Sequence, residues 1–265
     1  MTVDALLLVF YGWLLMAGTM ALLWLVQKIR QDASLVDVAW SAGLGMLAIF
    51  YALTASGYLP RRFLVAGVAG LWAFRLATYL FFNRILGKPE DGRYQTLRRQ
   101  WGARAQPYFF LFFQAQALLD VIFSLPFLVV VSNPRPEFSW WEGAGVLAWL
   151  LAVAGESLAD RQLARFRADR RNHGKTCRLG LWRYSRHPNY FFEWLHWWSY
   201  VLMAVGAPYW WLTLIGPALM LYLLFKVTGI PATEAQALAS RGDDYRAYQR
   251  ATSAFVPWFP KKEGA

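Results

Sequence analysis

The chain is 265 residues long, with 57% apolar and 18% aromatic residues but only 16% charged ones, a balance too apolar for an ordinary soluble domain. Its net charge of +11, from 27 Lys and Arg against 16 Asp and Glu, invites a nucleic-acid reading, but the cations fall between apolar runs and no nucleic-acid-binding motif accompanies them. One cysteine, Cys177, cannot form an internal disulfide, and three histidines with one cysteine give no metal-ligand spacing, so neither a disulfide framework nor a metal site is expected.

In chain order, apolar runs cover residues 5–26, 35–55, 63–82, 108–131, 140–155, 190–205 and 209–225. A bilayer core takes roughly 20 residues of helix, so the shorter runs must absorb flanking residues. The runs predict an all-α integral membrane bundle of about seven transmembrane helices. The first run is about twice as long as the apolar region of a signal peptide and ends without a small-residue cleavage site, so it is expected to stay in the mature protein.

Cations gather after the first, third, fifth and seventh runs: Lys28 and Arg30; Arg84, Lys88, Arg93, Arg98, Arg99 and Arg104; nine between Arg161 and Arg186; and the C-terminal tail. The opposite loops carry only Arg61 and Arg62, then Arg135. The positive-inside rule therefore puts the N-terminus outside and the C-terminus in the cytoplasm. Residues 1–132 are mostly apolar with one basic loop, whereas 133–265 hold a long polar connection and the tail. With no repeat of fixed period and no long linker, the two halves are expected to form one integrated domain, and nothing requires an oligomer.

An ionisable side chain at membrane depth costs a few kcal/mol, so Asp37, Arg75, Asp120, Glu156, Glu193 and His196 are candidates for function. Helical spacing groups them. Asn189, Glu193 and His196 share a face, as do Glu156, Asp160 and Arg167, and Gln116 is spaced to meet Asp120. Mutual satisfaction between packed helices is the competing reading, and it weighs most for Gln116 with Asp120 and for Arg75. The loop "ADRQLARFRADRRNHGKTCRLGLWRYSRHPN" mixes cations, Arg183 and Lys175 among them, with Asp160, Tyr184, His187 and Asn189. Anchoring on anionic lipid explains the cations alone; a ligand with phosphates and a ribose uses the mixture. No GxGxxG follows a strand and no GxxxxGK[ST] occurs, so such a nucleotide would be held by helices and loops.

"GLWRYSRHPNYFFEW", followed by "EAQALASRGDDYRAYQRATSAFVPWFP", resembles the C-terminal domain of the steroid 5-alpha-reductase family in its bacterial branch. "SLVDVAWSAG" and "EDGRYQTLRRQWG" resemble that branch too, so the likeness spans most of the chain. The RHPNY…E block is shared with membrane methyltransferases that use S-adenosylmethionine. The resemblance implies a bacterial inner-membrane enzyme with NADPH held by the last three helices, and a lipophilic cavity for a steroid or sterol-like lipid within the first four. It also implies Asn189 and Glu193 on the nicotinamide amide, Asp160 and Arg167 at the adenosine end, and Lys175 facing the phosphates. Glu156 stands where mammalian members usually carry Asn.

Mammalian members bond the steroid ketone with a Glu and a Tyr; those positions fall here on Leu44 and Trp72. Asp37 lies two helical turns from Leu44 on the same face, so Asp37 with Tyr79, or with Tyr94 of the EDGRY block, is expected to serve as the acid. A structural cap or a partner for Arg75 is the competing role for Asp37. Trp40, Trp72 and Gln116 are expected to line the lipid cavity. The expected reaction is reduction of the C=C bond of a conjugated enone with NADPH; a methyltransferase and a non-catalytic lipid binder are the alternatives.

Overall fold

The computed structural model describes residues 3–227 and 229–261, and among them every regular element is helical. The helices are α1 (Val3–Arg30), α2 (Leu35–Thr54), α3 (Leu59–Leu80), α4 (Gly92–Trp101), α5 (Ala105–Val131), α6 (Trp140–Ala168), α7 (Pro188–Met203), α8 (Ile215–Tyr222) and α9 (Ile230–Ala251). Among the described residues, six helical stretches are long and apolar enough to cross a membrane. The seventh, α7, has 16 residues and would rise about 24 Å. The chain is an all-α, multi-span membrane protein.

Local chemistry sets the breaks. Pro60 and Pro231 open α3 and α9 within the first two helical positions, where a missing N–H costs nothing. The Asp91 side chain accepts the Arg93 amide at 2.9 Å and caps α4, which ends at Gly102 with φ +50°. The two polar helices, α4 and α9, produce no hydropathic run, and the sequence reading did not separate them from their loops.

The chain packs as two compact units. The first, residues 3–139 with 204–216, buries Met16, Leu44, Tyr51, Trp72, Phe113 and Phe127. Arg61, counted above as a loop cation, is only 1% exposed; its guanidinium donates to the carbonyls of Asn133, Arg135 and Glu137 at 3.1, 2.9 and 2.6 Å, pinning the α2–α3 turn to the segment after α5. The second unit, residues 140–203 with 217–261, is built on α6 and α7, and their contacts run in opposite directions, Gly145 meeting Met203 and Gly155 meeting Phe192. Lipid offers no hydrophobic drive between helices, so close packing must hold them. Gly145 lies against Ser199 and Met203, and Gly155 lies under the Phe192 ring.

Candidate functional site

Two polar constellations stand out, one in each unit. In the first unit the blocks at 34–40 and 90–102 dock on each other. Ser34 Oγ accepts the Asp91 amide at 2.8 Å, and Glu90 accepts the Ala33 amide at 2.9 Å. Arg98 secures Glu90 at 2.8 Å and lies 4.7 Å over the Phe109 ring. This docking brings Tyr94 Oη–H to Asp37 Oδ1 at 2.6 Å, while Arg93 and Arg84 reach Asp37 Oδ2 at 2.6 and 3.5 Å. Tyr94 is buried at 3% exposure; Asp37 is half-buried in the first turn of α2, where the helix N-terminus favours a carboxylate. Burial would raise the Asp91 carboxyl, but hydrogen bonds from the Arg93 side chain and backbone, with the charges of Arg93 and Arg84, hold it below its ordinary range.

Of the two tyrosines expected beside Asp37, Tyr94 is the one hydrogen-bonded to it, and its cationic partners are Arg93 and Arg84 rather than Arg75. Tyr79 lies half-buried near the end of α3, its carbonyl accepting from Asn83 at 2.8 Å. Trp40 meets Phe123 edge-on at 5.7 Å, Trp72 is wholly within the packed core, and Gln116 is half-buried on α5. Asp120 is fully buried, and neither of its carboxyl oxygens accepts a hydrogen bond from Gln116; one of them faces Gly43 of α2.

In the second unit, Glu156 and Asp160 of α6 are buried at 5% and 8% exposure. Asn189, in the first turn of α7, donates from Nδ2 to Asp160 Oδ1 at 3.4 Å, and Glu193 follows one turn further on. Deeper on that face, His196 Nε2 and Tyr200 Oη lie 2.9 Å apart, both fully buried. Arg167, near the end of α6, and Lys175, in the loop that follows, are exposed. The loop is tied back to α6: Gln162 accepts the Leu181 amide at 2.9 Å and Trp182 Nε1 donates to the Ala159 carbonyl at 2.9 Å.

The cationic end of the RHPNY block has a different occupation. Arg186 Nε meets Glu234 at 2.7 Å, and its Nη1 donates to the Gln249 and Thr252 carbonyls at 3.0 and 2.7 Å. His187, buried and stacked on Tyr190, shares Glu234 at 3.2 Å, and Gln249 donates to the same carboxylate at 2.8 Å. Ser185 Oγ donates to the Phe255 carbonyl at 2.7 Å, and Tyr248 Oη donates to the carbonyls of Trp182 and Ser185. The Tyr184 carbonyl accepts the Trp258 amide at 2.9 Å. Thus Tyr184, Ser185, Arg186 and His187 clamp α9 and the tail beneath α7. Glu234, which holds the clamp, had no local spacing to announce it. Arg183 points away from the clamp, exposed, into a surface cleft.

These arrangements belong to a helical, multi-span membrane protein with an ionisable seam at the end of its α6–α7 pair. The family described as proteins of unknown function (DUF1295) matches residues 23–252, and the chain belongs to it. An uncharacterized protein of Schizosaccharomyces pombe is 25% identical over 211 residues, a match covering 70% of this chain and 61% of that one. The likeness thus spans about three-fifths of the length of that relative. No solved structure matches.

Proposed function

We propose that the protein is an NADPH-dependent reductase of the steroid 5-alpha-reductase type, reducing the C=C bond of a conjugated enone in a steroid or similar lipid. The observation that carries this reading is the grouping of Asp160, Asn189 and Glu193 where α7 begins. An amide beside carboxylates supplies the acceptors and donors that a neutral carboxamide ring needs, and the exposed Arg167 and Lys175 are cations of the kind phosphates need. Asp160 and Arg167, two turns apart on α6, suit the ribose and adenosine end.

Bound NADPH would supply a hydride to the β carbon of the enone, the α carbon taking a proton. The chain's own work is to bind and polarise. Asn189 and Glu193 orient the carboxamide. Tyr94, turning its O–H from Asp37 toward the ketone, stabilises the negative charge that develops on the enolate oxygen. Trp40 and Gln116 are the lipid-side residues of this reading, and the protein sits in a bacterial inner membrane with its N-terminus outside.

The test is enone-dependent NADPH oxidation by the detergent-purified chain with a 3-oxo-Δ4-steroid. Formation of the saturated ketone, with Asn189→Ala and Arg167→Ala raising the KM for NADPH about tenfold or more, is the expected result, each change removing about one charge-assisted or amide hydrogen bond. Enone turnover indifferent to both changes would remove the α6–α7 seam from the reaction.

A further inference from the structure

We propose that the second unit carries a binding site for the phosphate headgroup of an anionic phospholipid, built from the loop before α7, the end of α9 and the tail. A cleft of about 330 Å³ is lined by Arg178, Arg183, Tyr248, Thr252, Pro260 and Lys261. Arg178 is held by Asp244 at 2.7 Å and lies 5.8 Å over the Tyr248 ring. Arg183 and Lys261 have no acidic partner among the described residues. The Lys261 backbone N–H donates to the Ala251 carbonyl at 2.8 Å, which fixes the main chain there, and Arg183 ends the short turn Gly180–Arg183. Two uncompensated cations and one shared one therefore converge on one concave spot, as a phosphate requires.

The tail gives the level of this cleft in the membrane. Phe255 packs against Phe191 and Trp194 of the first turns of α7, and against Phe225 at the end of the last apolar stretch, at 5.7, 5.7 and 5.4 Å. The chain thus passes the place where α7 enters the bilayer. Immediately beyond, Val256, Trp258 and Phe259 are 53%, 70% and 76% exposed. Bare Trp and Phe next to cations are costly in water and stable at the headgroup–acyl boundary. A soluble phosphate ligand has no use for that aromatic margin; a phospholipid has, since its chains lie against the aromatics while its phosphate reaches the cleft. The inference does not depend on the reductase reading.

The experiment titrates the full-length purified protein with spin-labelled phosphatidylglycerol, and with phosphatidylcholine carrying the same label, reading the immobilised fraction. Phosphatidylglycerol should be preferred. The double change Arg183→Gln with Lys261→Gln should cut that preference roughly ten- to thirtyfold, the size expected for two cations near an anionic headgroup. Trp258→Ser should weaken both lipids. Removing the same charge from the exposed α6 surface, by Arg161→Gln with Arg165→Gln, should change little. Equal losses in the two double variants would mean diffuse charge attraction and overturn the site. Displacement of the lipid by inorganic phosphate, unaffected by Trp258→Ser, would assign the cleft to a soluble phosphate and equally overturn it. Unchanged helical circular dichroism keeps misfolding from mimicking either result.

Discussion

Tyr94 and Asp37 lie 57 residues apart in sequence and share a 2.6 Å hydrogen bond. Tyr94→Phe deletes the donor while leaving the ring on Phe112, 5.9 Å away. On the reductase reading, enone turnover should fall about 10²–10³-fold, the usual cost of one preorganised donor to a developing oxyanion, with NADPH affinity unchanged. Asp37→Asn should likewise abolish turnover and spare cofactor binding. Normal turnover in both variants would take this pair out of the reaction. A second residue-scale expectation concerns Cys177, the single cysteine, buried at 3% exposure. Burial pushes its thiol up, only partly offset by the Leu179 hydrogen bond and the Arg167 and Arg241 charges. A group whose folded pKa is raised keeps its full stabilising effect below the ordinary thiol range and loses it above. Alkylation of the folded protein should therefore be slow at neutral pH and accelerate only above that range; fast alkylation at neutral pH would contradict the packing of this loop.

At the scale of elements, the α6–α7 pair depends on glycine. A Cβ at Gly145 would stand 2.7 Å from the Ser199 carbonyl oxygen, which belongs to the backbone and cannot swing aside. Gly145→Ala should destabilise the protein by about 1–3 kcal/mol in a thermal or denaturant assay. The tail clamp is the other joint. Glu234→Ala strips the shared carboxylate from Arg186 and His187, whose side chains are 12% and 4% exposed. Leaving a nearly buried guanidinium without its carboxylate should cost on the order of 3 kcal/mol. Proteolysis after residue 229 should then quicken, and an unchanged cleavage rate would contradict the clamp. Much of this was legible in the sequence. The run at 190–205 became Pro188–Met203, and the four-residue step from Asn189 to Glu193 put both on one face. The polar helices α4 and α9 were not legible by hydropathy, because a helix outside the bilayer needs no apolar run; Asp91 before Gly92 and Pro231 at the start of α9 were the usable signals. The partner of Arg186 and His187 was not legible for a different reason. Their chemistry suits a ligand, but their partner Glu234 lies 47–48 residues away, and periodicity carries no information at that range.

For the whole molecule, helices crossing a membrane leave an exterior that lipid must cover, and Leu6, Phe10, Phe63 and Phe74 among others are at least half exposed on it. The bias of Lys and Arg toward alternate loops predicts an external N-terminus and a cytoplasmic tail. A C-terminal fluorescent reporter should therefore fold and fluoresce, while a C-terminal alkaline phosphatase should stay inactive; the opposite pair of results would invert the topology. The central claim is the cofactor. Equilibrium binding of NADPH and of S-adenosylmethionine to the detergent-purified protein, with Asn189→Ala and Arg167→Ala beside it, tests that claim most directly. Tight NADPH binding weakened by both changes is the expected result. Binding of S-adenosylmethionine alone would contradict it and hand the RHPNY block to a methyltransferase.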